Sequence, residues 1–232
     1  MHRKLKKRRK ETHPPGMRVL APSLAGFQGM TVAVPLAMSQ VLFTHLMVPN
    51  APPLTAEDLG GLAALAHVTY GGDRLADALR PSPHASATKE ALYDNIRRTR
   101  GAVAWSLVLA FACLQPFFAS PALLPFLPAL FVSFRYKDWV KPTVAKAAFV
   151  GAGWSAASVA MPLCRAGLEP AAALEPSLVC ALILFALSNL ADVPDVVEDA
   201  AVGVPTLPVV LGPSAAASAS AAALVLALAV TL

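Results

Sequence analysis

Asp192, Asp195 and Asp199 stand three and then four residues apart, directly after the apolar stretch 177–190. On a helix this spacing predicts one face carrying all three carboxylates. A charge at the bilayer centre costs about 2.5–3.5 kcal/mol even on lenient insertion scales, so acids beside an apolar span point to function rather than packing. Converging carboxylates supply oxygen ligands to a hard cation such as Mg²⁺, which commonly shares its shell with substrate phosphates. A second pair, Asp73 and Asp77, is four apart with Arg74 between them, again on one predicted helical face. Two such clusters facing each other would hold about two Mg²⁺ ions, and the ions would hold a diphosphate. Ionisation of an allylic diphosphate needs neutralised charge on the leaving group, which metal and Lys/Arg provide together. Candidate basic donors are Arg74, Arg135, Lys137, Lys141 and Lys146. Plain anchoring or snorkelling is the alternative explanation for the four between 135 and 146.

The elements that must position these residues follow from composition. Of the 232 residues, 56% are hydrophobic and 14% charged, which departs from soluble averages toward membrane proteins. The expected fold class is all-α: a polytopic transmembrane helix bundle, with a basic tail over 1–26 and the membrane domain over 27–232. Seven apolar runs qualify: 27–48, 59–72, 102–119, 121–134, 144–163, 177–191 and 214–232. The second, fourth and sixth are weaker than a simple anchor needs, and short or Gly/Pro-interrupted helices suit the lining of a cavity rather than a face toward lipid alone.

Charge sets the expected topology. With the tail inside and sides alternating, the tail, the loop 73–100 and the stretch 135–146 hold eight, six and four Lys/Arg, eighteen of the nineteen present. Only Arg165 falls outside, as the positive-inside rule requires. The same bookkeeping puts Asp73, Asp77, Asp192, Asp195, Glu198 and Asp199 on the inner face, meaning the cytosolic, stromal or matrix side.

The tail carries seven Lys/Arg in its first ten residues and no apolar run close behind, which argues against a secretory signal. It suits a juxtamembrane anchor or part of an organelle transit segment. Nucleic-acid binding is disfavoured, because no aromatic and basic surface accompanies it. Cys113, Cys164 and Cys180 form no metal or disulfide pattern and read as small apolar residues. His45, His67 and His84 lack regular spacing, and no role is assigned to them. An ion-coupled transporter would place its acids near mid-membrane, whereas these lie at one face.

The two acid motifs resemble those of the UbiA superfamily of intramembrane prenyltransferases. The second motif of that family, D-x-x-D-x-x-x-D followed by G-x-x-T-L-P-x-x-L-G, is matched by Asp192, Asp195 and Asp199, then by Gly203, Thr206, Leu207, Pro208, Leu211 and Gly212. The first, N-D-x-x-D-x-x-x-D, is matched by Asp73 and Asp77, while Thr69 and Tyr70 stand where Asn and Asp are expected. Lys141, Pro142 and Lys146, leading to Gly153 and Trp154, resemble the segment between the motifs. Glu198 replaces a usual Gly, and Pro194 falls inside the second motif.

The resemblance implies a bundle of about nine transmembrane helices around a central cavity, so two further spans are expected beyond Leu232. It also implies Mg²⁺-dependent transfer of a prenyl group from an isoprenoid diphosphate to an aromatic or similar lipid-soluble acceptor, in quinone, tocopherol or pigment biosynthesis. Asp73, Asp77, Asp192, Asp195 and Asp199 would then be catalytic residues, binding Mg²⁺ and diphosphate or positioning the acceptor. Arg74, Lys141 and Lys146 would contact the diphosphate. A relative that binds a prenyl lipid or partner without chemistry is the alternative, and the change at Thr69 and Tyr70 favours it.

Overall fold

The computed structural model describes residues 47–48, 51–80, 87–119, 121, 139–140 and 143–231. The basic tail, Arg135, Lys137, Lys141 and nearly all of the expected spans 27–48 and 121–134 lie outside the described residues. The rest is all-helical, 84% helix with no strand among the described residues.

The first long helix is built from α1 (Ala56–Ala66), a π-helical turn (His67–Gly71) and α2 (Gly72–Leu79). Its start is specified locally by a capping box. The Thr55 hydroxyl accepts from the Asp58 backbone N–H at 3.1 Å, and the Thr55 N–H donates to the Asp58 carboxylate at 3.0 Å. The helix α3 (Ala87–Phe118) returns alongside it. His67 Nε2 meets Ser106 Oγ at 3.0 Å, and Arg97 Nε donates to the Ala78 carbonyl at 2.7 Å, so the two run antiparallel. Arg97 thereby satisfies a carbonyl in the last turn of α2, where the helix dipole favours a cation.

A second continuous helix joins α4 (Lys146–Ser155), a π-helical turn (Ala156–Ala160) and α5 (Met161–Arg165). A short 3₁₀ turn (Pro170–Ala173) then leads into α6 (Leu174–Ala191), and α9 (Pro213–Val230) closes the described chain. Lys146–Arg165, Pro170–Ala201 and Pro213–Val230 are each long and apolar enough to cross a membrane. At 1.5 Å per residue, twenty residues span about 30 Å, the thickness of the hydrocarbon core. Trp105, Leu109 and Phe111 on α3 and Val225 and Leu228 on α9 are large apolar side chains left exposed, as expected of surfaces facing lipid. The chain is a membrane protein by these features.

Helices in lipid gain little from burying apolar surface against one another, so close contact rests on small residues and hydrogen bonds. α6 packs against α4 on one side and α9 on the other. Ser155 Oγ donates to the Ser177 carbonyl, and Asn189 donates to the Ala216 carbonyl. Gly151 is the closest point of the α4–α6 contact. A Cβ placed there would lie 2.6 Å from the Ala181 carbonyl oxygen and 2.9 Å from the Phe185 nitrogen, both backbone atoms that cannot swing aside. A Cβ at Gly153, on the same helix, would meet nothing within 4 Å among the described residues.

These two glycines make a matched test. Gly151→Ala is expected to destabilise by about 1–3 kcal/mol through overpacking, whereas Gly153→Ala gains up to about 1 kcal/mol from helix propensity. Thermal unfolding of the two variants in one detergent separates them. Equal melting temperatures would show that α4 and α6 are not in this contact.

Candidate functional site

Two contacts fix the first long helix against the second. At one end Arg165 donates to Asp58 Oδ1 and, at 2.8 Å, to Glu57 Oε2. Further along, Leu62 and Ala66 pack with Ala157 and Met161, and the rings of Tyr70 and Trp154 stack with centroids 5.5 Å apart and planes 6° from parallel. The helices are therefore antiparallel. Continuing in this register, α2 carries Asp73, Arg74 and Asp77, all half-buried, toward the end where Lys146 begins α4. Thr69 is exposed, and Tyr70 lies against Trp154 rather than offering a group in place of a carboxylate.

The second motif begins where α6 stops. Pro194 has no N–H and cannot continue the hydrogen bonding of α6. The chain makes a single 3₁₀ turn over Val193–Asp195 and restarts as α7 (Val196–Ala201). The three aspartates thus lie on three successive pieces, Asp192 capping α6, Asp195 ending the turn and Asp199 within α7. A single unbroken helical face, the sequence-based expectation, is not what carries them.

Two lysines serve three of the acids. Asp192 is buried, and its Oδ1 accepts from Lys146 Nζ at 2.6 Å. Its Oδ2 is buried with no hydrogen-bond partner among the described residues. One turn earlier Asn189, fully buried, donates to the Ala216 carbonyl at 2.7 Å and to Ser220 Oγ at 2.9 Å, while its Oδ1 is likewise buried without a partner among them. Lys89 Nζ reaches across from α3 to Asp195 at 3.1 Å and Glu198 at 2.9 Å. Thr206 Oγ1 lies 3.5 Å from Asp199 Oδ2, a long contact.

The loop after α7 explains two of the glycines in this stretch. Gly203 and Gly212 have φ of +73° and +86°, the left-handed side that residues with a Cβ avoid. Gly203 lets the chain turn at the end of α7, so that the Val204 N–H donates to the Asp199 carbonyl at 2.8 Å. Gly212 lets it turn from α8 (Leu207–Leu211) into α9, whose first residue is Pro213.

Burial lowers the Lys89 pKa, but the hydrogen bonds and charges of Glu198 and Asp195 outweigh it and leave the ammonium above its ordinary value of 10.5. The raised folded value means that the contribution of Lys89 to stability is complete below pH 10.5 and is lost only as pH rises through that higher value. Lys89 is charged across the whole neutral range.

Lys89 and Asn189 were not picked out from the sequence. Lys89 counted only as one more basic residue of the inner loop. A signal existed, since a lysine in the first turn of a helix opposes the dipole there and needs an acidic partner. Asn189 had none beyond being the lone amide in an apolar run. Lys146 pairs with Asp192, Arg74 lies with Asp73 and Asp77 on α2, and Lys141 falls outside the described residues.

The donor set suits Mg²⁺ in kind, being carboxylate and amide oxygens, and the buried Asp192 Oδ2 is a vacant acceptor among the described residues. Among those same residues, however, no three His, Cys, Asp or Glu side chains gather closely enough to hold an ion by themselves. Comparison of the chain with protein-family models, with curated proteins and with solved structures finds no match.

The Lys146–Asp192 pair is mostly buried, with side-chain exposures of 18% and 11%. Lys146→Met leaves a buried carboxylate uncompensated and is expected to cost about 3–5 kcal/mol. Adding Asp192→Leu to it should recover much of that loss. Equal stability of wild type and Lys146→Met would refute the pairing.

Proposed function

We propose that the chain is an integral-membrane prenyltransferase, a polytopic bundle of about seven spans in this sequence. It would move a prenyl group from an isoprenoid diphosphate to an aromatic or similar lipid-soluble acceptor. The observation that carries this reading is the ion pairing of Lys89, ten residues or more beyond the first acid pair, with Asp195 and Glu198 of the second motif, in a register that carries Asp73 and Asp77 toward the Lys146 end. The resemblance of the motifs to the UbiA superfamily supplies the reaction class. The gathering of Arg74, Lys89, Arg97 and Lys146 near that end, with Arg165 at the other, supports a basic inner face on the cytosolic, stromal or matrix side.

On this reading Asp192, Asp195 and Asp199, with Asp73 and Asp77, hold Mg²⁺, which supplies neutralisation of the diphosphate leaving group. Lys146 sits within reach of the same group and adds positive charge, as does Arg74. The apolar walls of the bundle exclude water from the carbon chain, so that the acceptor rather than water is alkylated. The expected outcome is Mg²⁺-dependent transfer of a labelled prenyl group in membranes. Asp195→Ala and Asp199→Ala should lower it by about 100-fold or more. Full activity in either variant would refute the assignment.

A second reading, a non-catalytic protein that binds a prenyl lipid or a partner, is favoured by two observations. Tyr70 is committed to Trp154, and Lys89 and Lys146 already pair with three carboxylates. The double variant Thr69→Asn/Tyr70→Asp discriminates. A gain of transfer activity from none indicates a lost first motif, whereas unchanged inactivity supports the binding role.

A further inference from the structure

Among the described residues, the acid face holds Asp192, Asp195, Glu198 and Asp199, four negative charges, against Lys89 and Lys146, two positive ones. The difference, four minus two, leaves two negative charges, which one divalent cation balances. The two lysines are not equivalent. Lys146 takes a single oxygen of Asp192. Lys89 lies between two carboxylates that come from different elements, 3.1 Å from Asp195 and 2.9 Å from Glu198, the position and contacts of a bridging cation. Removed from it, two carboxylates one helical turn apart would repel each other and invite a divalent ion. Asp192 Oδ2 and Asn189 Oδ1, one turn apart at the C-terminal end of α6, are two of the four buried side-chain oxygens that have no hydrogen-bond partner among the described residues, the others being Asn95 Oδ1 and Ser177 Oγ.

We propose that Lys89 is a built-in cation occupying the place of a dissociable ion between Asp195 and Glu198, so that this acid face takes one divalent cation rather than two. The ion that does bind would use the buried oxygen of Asp192 that has no hydrogen-bond partner among the described residues. Glu198 is part of the device: it supplies the second carboxylate that fixes the lysine. The proposal rests on the cation–diphosphate reading above, but it differs from it in the number of ions and in the residue that replaces one.

The test is a titration of the full-length protein in detergent with Mn²⁺, free ion being read by its electron paramagnetic resonance signal, with no substrate present. Wild type is expected to bind one ion per chain. Lys89→Met should bind two, or bind the first about tenfold more tightly, the scale expected when a unit charge a few ångströms away is removed. Lys89→Arg, which keeps the charge, should bind one. Lys89→Gln is read in the same way as Lys89→Met should the latter fail to fold. Two ions on wild type would overturn the proposal and leave the cation–diphosphate reading standing, whatever the variants do. One ion at unchanged affinity in both wild type and Lys89→Met would also overturn it. No binding to either protein would remove both.

Discussion

Lysine–carboxylate pairing between segments far apart in sequence is the interaction on which the site end of this bundle depends. Lys146 meets Asp192 across 46 residues, and Lys89 meets Glu198 across 109. A carboxylate moved out of water beside an apolar helix is unfavourable unless a charge is fixed next to it. Each pairing therefore constrains two helices at once. Lys146 sets the height of α4 against the end of α6, and Lys89 brings α3 to the turn after it. The opposite end is held in the same manner, with Arg165 closing over Asp58 and Glu57 at the start of α1.

Between the two charged ends, close backbone approach takes over. Gly151 admits α6 to α4, and Ala216, Ser220, Ala223 and Ala227 are buried along α9. Asn189 crosses this contact with two hydrogen bonds. Because it lies one turn before Asp192, packing of α9 against α6 also fixes the approach to the acid. Membrane-style helix contact and site geometry are thus coupled through a single buried amide. The Tyr70–Trp154 stack does the same for the first motif, setting how far along the second helix Asp73 and Asp77 extend.

Parts of the site were legible in the sequence because their signals are local. Gly203 and Gly212 bracket α8, and both adopt a positive φ that few other residues tolerate. Pro194 stands where α6 breaks, and its missing N–H is a local property written in the sequence. The spans over 144–163, 177–191 and 214–232 coincide with the three apolar helices, because hydropathy over some twenty residues decides insertion. The expectation of one shared helical face for Asp192, Asp195 and Asp199 did not survive the same proline. Spacing reports a face only while the helix is unbroken.

The sequence alone determined the helical membrane class, the stations of the acids, and the glycine and proline positions around them. Each depends on the intrinsic chemistry of a residue or its near neighbours. Only the tertiary structure decided which cation meets which acid, that Asp192 and Asn189 each keep a buried oxygen unspent, and that Tyr70 stacks on Trp154. Those outcomes depend on helix register, which is the sum of many weak contacts between segments tens of residues apart. No single spacing along the chain encodes that sum, so in the sequence Lys89 looks like any other lysine of its loop, and only its reach to Asp195 and Glu198 sets it apart.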